Sequence, residues 1–284
     1  MAFIYEIITF VRKNYSGKIC SKRILTDKYE HIFICEKQIV FLLISLPTSN
    51  FTNLQKMFFQ NLSITAAEQN LQLLIIWEDN WIVKQDVIRW RILSHLGKFV
   101  SIHGRLCCAK RIIKAQADVF LLQNHLHSSP HAKYKYGLFF QNQLVAVATF
   151  SGSRSIERDG TVYRSYELVR FANFQNFIVV GGIGKLVAYF AAEQNPDDIM
   201  SYADADWSLG RSYEKLGFHF IEYTAPQKFY INVETYQRYY PKKISQELLS
   251  EFAKQSLTLD DFLAKRGIFA IYNAGNKKYL LKFK

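Results

Sequence analysis

Residues 179–190 read VVGGIGKLVAYF: two β-branched residues, three glycines within four positions, then an apolar run at helical spacing. A strand that ends in such a turn and continues as a helix presents the unpaired N–H groups of the helix's first turn, where a phosphate or pyrophosphate can be held. Gly181, Gly182 and Gly184 permit close backbone approach. The same glycines serve turn geometry or tight helix packing equally well, and the sequence leaves both open. In either case the chain is committed to an α/β unit at this point.

The flanking segments extend that unit. An apolar periodicity over 112–127 predicts a helix, and YGLFFQ and LVAVATF predict a hairpin turning at Asn142-Gln143. SGSRSIERDG reads as a polar loop, YRSYELVRF as a third strand, and the helix after the glycines runs to about Gln194. DIMSYAD reads as a strand, WSLGRSYEKLGF as a loop and helix, and HFIEY and KFYINV as two closing strands. Upstream, a helix at 1–18 precedes HIFICEKQIVFLLISL, two strands turned at 36–38. A helix over 53–70, the buried strand LQLLIIW and a helix over 83–96 follow. The end of the chain reads as a charged helix over 245–265 and a small hairpin, FAIYNAGNKKYLLKF. The pattern gives a domain at 1–104, a second at 105–235 and an extension at 236–284.

Charge narrows the partner. Lys and Arg number 36 against 24 Asp and Glu, a net charge of +12, and 236–284 holds ten basic and four acidic residues, half of the surplus. A polyanion is the natural partner, and nucleic acid, DNA in particular, is the expected one. A solvated surface that merely maintains solubility would also be basic. Arg238, Lys242 and Lys243, interleaved with Tyr236, Tyr239 and Tyr240, form the candidate backbone-contacting patch. Trp77, Trp81 and Trp90 beside Lys84, Arg89 and Arg91 could stack on bases, but a core role is the favoured reading. Cys20, Cys35, Cys107 and Cys108 show no CxxC pair and no disulfide framework, which argues for a reducing compartment, the cytoplasm. No apolar run reaches the roughly 18 residues of a membrane span, so no membrane partner is expected. His125, His127 and His131 lack an evident fourth ligand, and no metal is expected there.

GGIGKL, a strand, and then SLGRSYEKLGF resemble the GCN5-related N-acyltransferase family. The resemblance implies acetyl-CoA or a related acyl-CoA as cofactor, held at Gly181, Gly182, Ile183, Gly184 and Lys185, with Tyr213 as the acid for the leaving thiolate. Val179 stands where the family has Gln or Arg. Over 120–230, NHLHSSP, YGLFFQNQLVAVATF, YELVRF and SYADADWSLGRSYEKLGF resemble the Mom family, phage proteins on the same fold that modify adenine in DNA. The positions that match its motifs are His125, Glu167, Arg170, Asp204 and Tyr213, with Leu126 and His127 where an HYS-type motif has Tyr and Ser. Residue chemistry agrees with an acid–base set: an imidazole, two carboxylates, a guanidinium and a phenol. Glu167 and Arg170 are three positions apart and point to opposite faces of a regular strand, so sharing a site requires a bulge. The alternatives are an edge ion pair for Glu167 and Arg170, a surface histidine at 125, and a helix cap at Asp204.

LQLLIIWEDNW and the apolar-basic helix after it resemble the end of Vsr-type endonuclease domains in phage homing endonucleases, whose C-terminal half is similar to 115–284 here, down to an ending like IYNAGNKKYLL. His31 and Leu43 stand near the positions where that fold has acids, leaving Glu36 alone on the hairpin. The resemblance therefore implies a degenerate endonuclease-like N-terminal domain without cleavage but still able to contact phosphates. The expected fold is α/β, with a mixed-sheet acyltransferase domain and a basic extension following. Three functions are carried forward: a Mom-like transferase acylating a base amine, a non-catalytic DNA-binding protein, and an N-acetyltransferase of small molecules or proteins.

Overall fold

The computed structural model describes residues 2–20, 24–46, 56–127, 129–254 and 256–283. Its contacts group the chain into two compact units, each discontinuous in sequence: Met1–Gln85 with Asp204–Leu209 and Tyr223–Asn276, and Asp86–Ala203 with Gly210–Glu222 and Lys277–Lys284. The expected seams near Gly104 and after 235 are not where the contacts divide.

The first unit opens with α1 (Ala2–Asn14), which buries Phe3, Ile7 and Val11 at helical spacing. A four-stranded sheet follows in the order β1 (Ile19–Cys20), β2 (Glu30–Ile34), β3 (Ile39–Ile44), β4 (Gln72–Trp77). β3 reads IVFLLI without alternation because all six residues are buried between antiparallel β2 and parallel β4. Helix α2 (Phe58–Glu68) is shorter than expected, and 53–55 of the expected helix lie outside the described residues. The helix expected over 83–96 is two helices, α3 (Glu78–Val83) in this unit and α4 (Gln85–His95), which from Asp86 on belongs to the second unit. Trp77, Trp81 and Trp90 are buried. The β1–β2 ladder brings Cys20 and Cys35 side by side, their Cα atoms 6.4 Å apart, within the span a disulfide bridges, although their spacing in sequence carries no motif.

The second unit is built on an eight-stranded sheet. β5 (Val100–His103) lies outside it; β6 (Cys108–Arg111), α5 (Lys114–Asn124), β7 (Tyr134–Phe140) and β8 (Gln143–Phe150) follow. The β7–β8 turn is Gln141-Asn142, both left-handed at φ 48° and 65°, one residue earlier than expected. The supposed loop 151–160 contains β9 (Arg154–Arg158), which pairs with β10 (Thr161–Asn173) through a turn at Asp159-Gly160. That Asp-Gly pair was the available hairpin signal. β11 (Phe177–Val180) runs parallel to β5 and leads into α6 (Gly182–Gln194), then β12 (Asp198–Asp204), α7 (Arg211–Glu214) and β13 (His219–Tyr223). Helix α6 buries Leu186, Val187 and Phe190; Phe190 stacks on Phe150 at 4.0 Å between centroids, with Tyr136 edge-on to both. Burial of each such side chain contributes about 1.5–3 kcal/mol, which fixes α6, and hence the glycine turn, against the sheet.

KFYINV does not close this sheet. It forms β14 (Lys228–Asn232), between β15 (Arg238–Tyr239) and β16 (Ile268–Tyr272) in a three-stranded sheet of the first unit. The charged segment holds two short helices, α8 (Gln246–Phe252) and α9 (Leu259–Ala264), capped by Ser245 and Thr258. The expected terminal hairpin is also absent: β16 pairs with β14, whereas β17 (Asn276–Lys282) joins the large sheet in the order β13-β17-β12-β10-β8-β7-β6. Among the described residues no helix is long and apolar enough to cross a membrane.

Candidate active site

Strands β10 and β12 run parallel and pair from Ser165↔Asp198 to Leu168↔Ser201, where the ladder ends although both strands continue. At the same place β10 slips against β8: Leu168 faces Phe150 and Arg170 faces Thr149, so Val169 is an extra residue. This is the bulge that the Glu167–Arg170 spacing required, and it turns both side chains to one face. On the other side of β10, pairing with β12 stops at Leu168↔Ser201, and the unpaired continuations of the two strands leave a notch in the ladder.

Tyr213 reaches that notch. Its hydroxyl lies 3.1 Å from Ser201 Oγ, which donates to the Leu168 carbonyl at 3.0 Å, the last rung of the ladder. The phenol ring stacks on Tyr279 at 5.3 Å and meets Phe218 edge-on. Gly210, left-handed at φ 83°, begins α7 directly against Tyr279, and a Cβ there would collide with the Tyr279 hydroxyl. Burial raises the Tyr213 pKa, opposed by the Ser201 hydrogen bond and the Arg170 charge, so the phenol holds its proton at neutral pH. Sequence reasoning missed Ser201, Tyr279 and Gly210, whose roles exist only through their neighbours.

The three glycines of the turn differ in what requires them. Gly181 is left-handed at φ 73°, with nothing within 4 Å of where its Cβ would stand. At Gly182 a Cβ would lie 2.9 Å from Val179 Cβ, and at Gly184 2.8 Å from Leu216 Cδ2, so these two are glycine for packing. Gly104 closes on the same turn, its virtual Cβ 3.0 Å from the Val180 carbonyl oxygen. The first helical bond runs from Lys185 N to Gly181 O, which leaves the amides of Gly182, Ile183 and Gly184 ahead of the intrahelical ladder. Lys185 was expected at the anion. Instead its Nζ donates to the carbonyls of Gly104 at 3.0 Å and Cys107 at 2.5 Å, tying that loop to α6.

The remaining motif residues are only partly gathered. His125 ends α5 and is 9% exposed, with Nδ1 accepting the His127 N–H at 3.0 Å. Burial, then the charges of Arg91, His127 and Arg170, holds its pKa well below the usual imidazole value. The same Nδ1 lies 3.3 Å from the His127 carbonyl oxygen, so both contacts of this nitrogen are to the His127 backbone. Arg170 donates to the Val169 carbonyl and is close enough to act electrostatically on both His125 and Tyr213. Its cross-strand neighbour Thr149 is 1% exposed, and its hydroxyl has no hydrogen-bond partner. Glu167 pairs with Arg154 at 3.3 Å. Asp204 falls in the other compact unit and accepts the Asp206 N–H at 3.0 Å within a turn; the N-cap of the following helix is Gly210. Among the described residues no group of three or more His, Cys, Asp or Glu is arranged to hold a metal ion.

Asp206 went unnoticed in the sequence. Its carboxylate is buried, accepts from Ala274 N at 2.7 Å and Trp77 Nε1 at 3.2 Å, and is pushed up to about 7 by burial and by Asp204. A carboxyl raised in the folded state binds more protons there than when unfolded. Its contribution is therefore full below the ordinary carboxyl range and is lost as pH rises towards 7. Urea denaturation of the wild type should show a stability loss on the order of a few kcal/mol from this group between pH 4 and 8. Asp206→Asn should flatten that slope; equal slopes for both proteins would refute the assignment.

Of the expected basic patch, Arg238 is committed elsewhere: its Nε and Nη2 bond the buried Asp79 carboxylate, the latter at 2.9 Å. Lys242 and Lys243 lie exposed in a 3₁₀ turn, Pro241–Lys243.

No family model matches the sequence, and no curated protein matches it. Among solved structures, the chain is similar to an acetyltransferase of Bacillus subtilis in complex with CoA, at 12% identity and TM-score 0.37, over 63% of this chain and 99% of that one. It is likewise similar to a GNAT family acetyltransferase from Elizabethkingia anophelis with acetyl-CoA bound, at 13% identity and TM-score 0.33, with the same coverage. Likeness at this level leaves the functional reading to the chain's own geometry.

Proposed function

We propose that the unit built on the large sheet transfers an acyl group from a CoA-type thioester to an amine. The observation that carries this reading is the parting of β10 and β12 beyond Leu168 and Ser201, with the Tyr213 hydroxyl at the point of separation. Parted strand edges can hydrogen-bond an extended, amide-bearing chain as a further strand would. The amides of Gly182, Ile183 and Gly184 suit a pyrophosphate, and the open space at Gly181 admits it. When bound, the donor would supply an acyl carbon already activated as a thioester. Tyr213 keeps a proton on Oη at the notch, the state in which a phenol serves as an acid. Arg170 adds positive charge where negative charge would develop. His125, neutral and with Nδ1 engaged, orients the chain at the end of α5 more readily than it takes up a proton.

The acceptor we favour is an amine on nucleic acid, because of the net charge of +12 and its concentration near the C-terminal end. Incubation with acetyl-CoA and DNA, followed by mass spectrometry of the nucleosides, should reveal an acylated base. Modified protein or small-molecule amines with unmodified nucleosides would favour the broader acceptor class, and no transfer at all would favour a DNA-binding protein without catalysis.

The donor site has a separate test. Gly181→Asp places a carboxylate at the turn where space is open, and Gly181→Asn imposes the same left-handed backbone without the charge. Calorimetry with CoA should show the Asp variant binding at least tenfold more weakly than the Asn variant, about 1.4 kcal/mol. Equal affinities would remove the anion from this turn.

A further inference from the structure

We propose that the groove lined by Gln227, Lys228, Tyr240, Pro241, Lys242 and Lys243 is a single-strand nucleic-acid site, with a base stacked on Tyr240 and phosphates at Lys242 and Lys243. This deepens the nucleic-acid reading of the acceptor and does not depend on the donor site. The groove encloses about 550 Å³, within the range of clefts that bind ligands. Its lining is mainly apolar and includes three lysines.

The three lysines are not equivalent. Lys228 donates to both carboxylate oxygens of Asp260 at 2.7 Å, so its charge is largely spent within the fold. Three further surface cations are matched in the same way: Lys114 with Asp118, Arg266 with Glu251, Lys278 with Glu222. Lys242 and Lys243 make no ion pair among the described residues. They extend from a turn that Pro241 stiffens, so two adjacent ammonium groups are presented at low conformational cost.

Tyr240 is the second element. It is 45% exposed, yet its ring is braced against Phe229 at 5.2 Å between centroids, so the aromatic is positioned while much of it stays accessible. An aromatic face beside paired cations suits an unstacked base with its flanking phosphates; a duplex keeps its bases stacked and offers only backbone. The shared chemistry is a nucleotide unit, supplied by a strand or by a free nucleotide.

Fluorescence anisotropy of the full chain with a labelled oligothymidylate strand across a salt series tests this. Each phosphate contact to a single strand adds about 0.7 to the salt slope. The Lys242→Gln/Lys243→Gln variant should therefore lose about 1.4 from that slope and bind at least tenfold more weakly at low salt. Tyr240→Leu should weaken strand binding about tenfold with the slope unchanged, and should leave binding of the corresponding duplex unaffected. Wild-type affinity in both variants would overturn the site. Equal loss of strand and duplex in Tyr240→Leu would overturn the stacked base. Displacement of the strand by equimolar thymidine triphosphate would assign the groove to free nucleotides. CoA binding by both variants should match the wild type, so failure here is separable from failure at the glycine turn.

Discussion

Arg238→Ala is expected to destabilise the first unit by about 3–5 kcal/mol, because it strands a buried carboxylate. Asp79 exposes 3% of its side chain, and the guanidinium meets it through two nitrogens. The same group lies over the rings of Trp77 at 5.2 Å and Phe229 at 5.6 Å, so truncation also removes packing. Arg238→Lys keeps the charge but not the fork, and should recover only part of the loss. Asp79→Leu combined with Arg238→Met removes both charges and should lie close to the wild type. Urea denaturation followed by tryptophan fluorescence reads all four proteins. A loss below about 1 kcal/mol for Arg238→Ala would mean that Asp79 regains water, and the pair would then be ornamental to stability.

Tyr213→Phe is expected to lower kcat for acyl transfer by about 10²–10⁴-fold, the usual contribution of a positioned acid. The substitution removes one oxygen and leaves the ring stacked on Tyr279, so donor affinity should stay near that of the wild type. Release of free CoA thiol from acetyl-CoA in the presence of DNA measures kcat, and calorimetry measures donor binding. Loss of kcat and of donor affinity together would indicate a collapsed notch; an unchanged kcat would end the role of the phenol. Ser201→Ala separates position from proton transfer, since it removes the hydroxyl that connects Tyr213 to the Leu168 carbonyl.

Much of the second unit was legible because its signals are local. The turn before α6, the hairpin of β7 and β8 and the strand β12 follow from periodicity and glycine placement within short windows. The bulge was legible too, for a geometric reason: a period of two cannot place residues 167 and 170 on one face unless one residue is extra, and Val169 is that residue. β9 was missed because polar residues on an exposed edge strand resemble a loop, even though Asp159-Gly160 marked its turn.

The site was less legible than the fold. Lys185 looked like a phosphate ligand because it follows the glycines, but its stem carries Nζ to the carbonyls of a loop that precedes it by about eighty residues in sequence. Asp204 and Arg238 matched their expected chemistry and were claimed by other partners, Asp206 N–H and Asp79. A charge in a sequence reports what a side chain can do, whereas the partner the fold supplies, backbone or side chain, decides what it does.

By itself the sequence determined the strand–turn–helix at 179–190 and the existence of the buried strands β3 and β4, since each depends on steric rules that act over a few residues. Only the tertiary structure decided that IYNAGNKKYLL splits between two sheets, that KFYINV joins the first unit, and that Tyr213 stands where β10 and β12 separate. Those outcomes depend on which surfaces meet after long loops close, and the free energy of such a meeting is shared among distant residues with no periodicity along the chain to announce it.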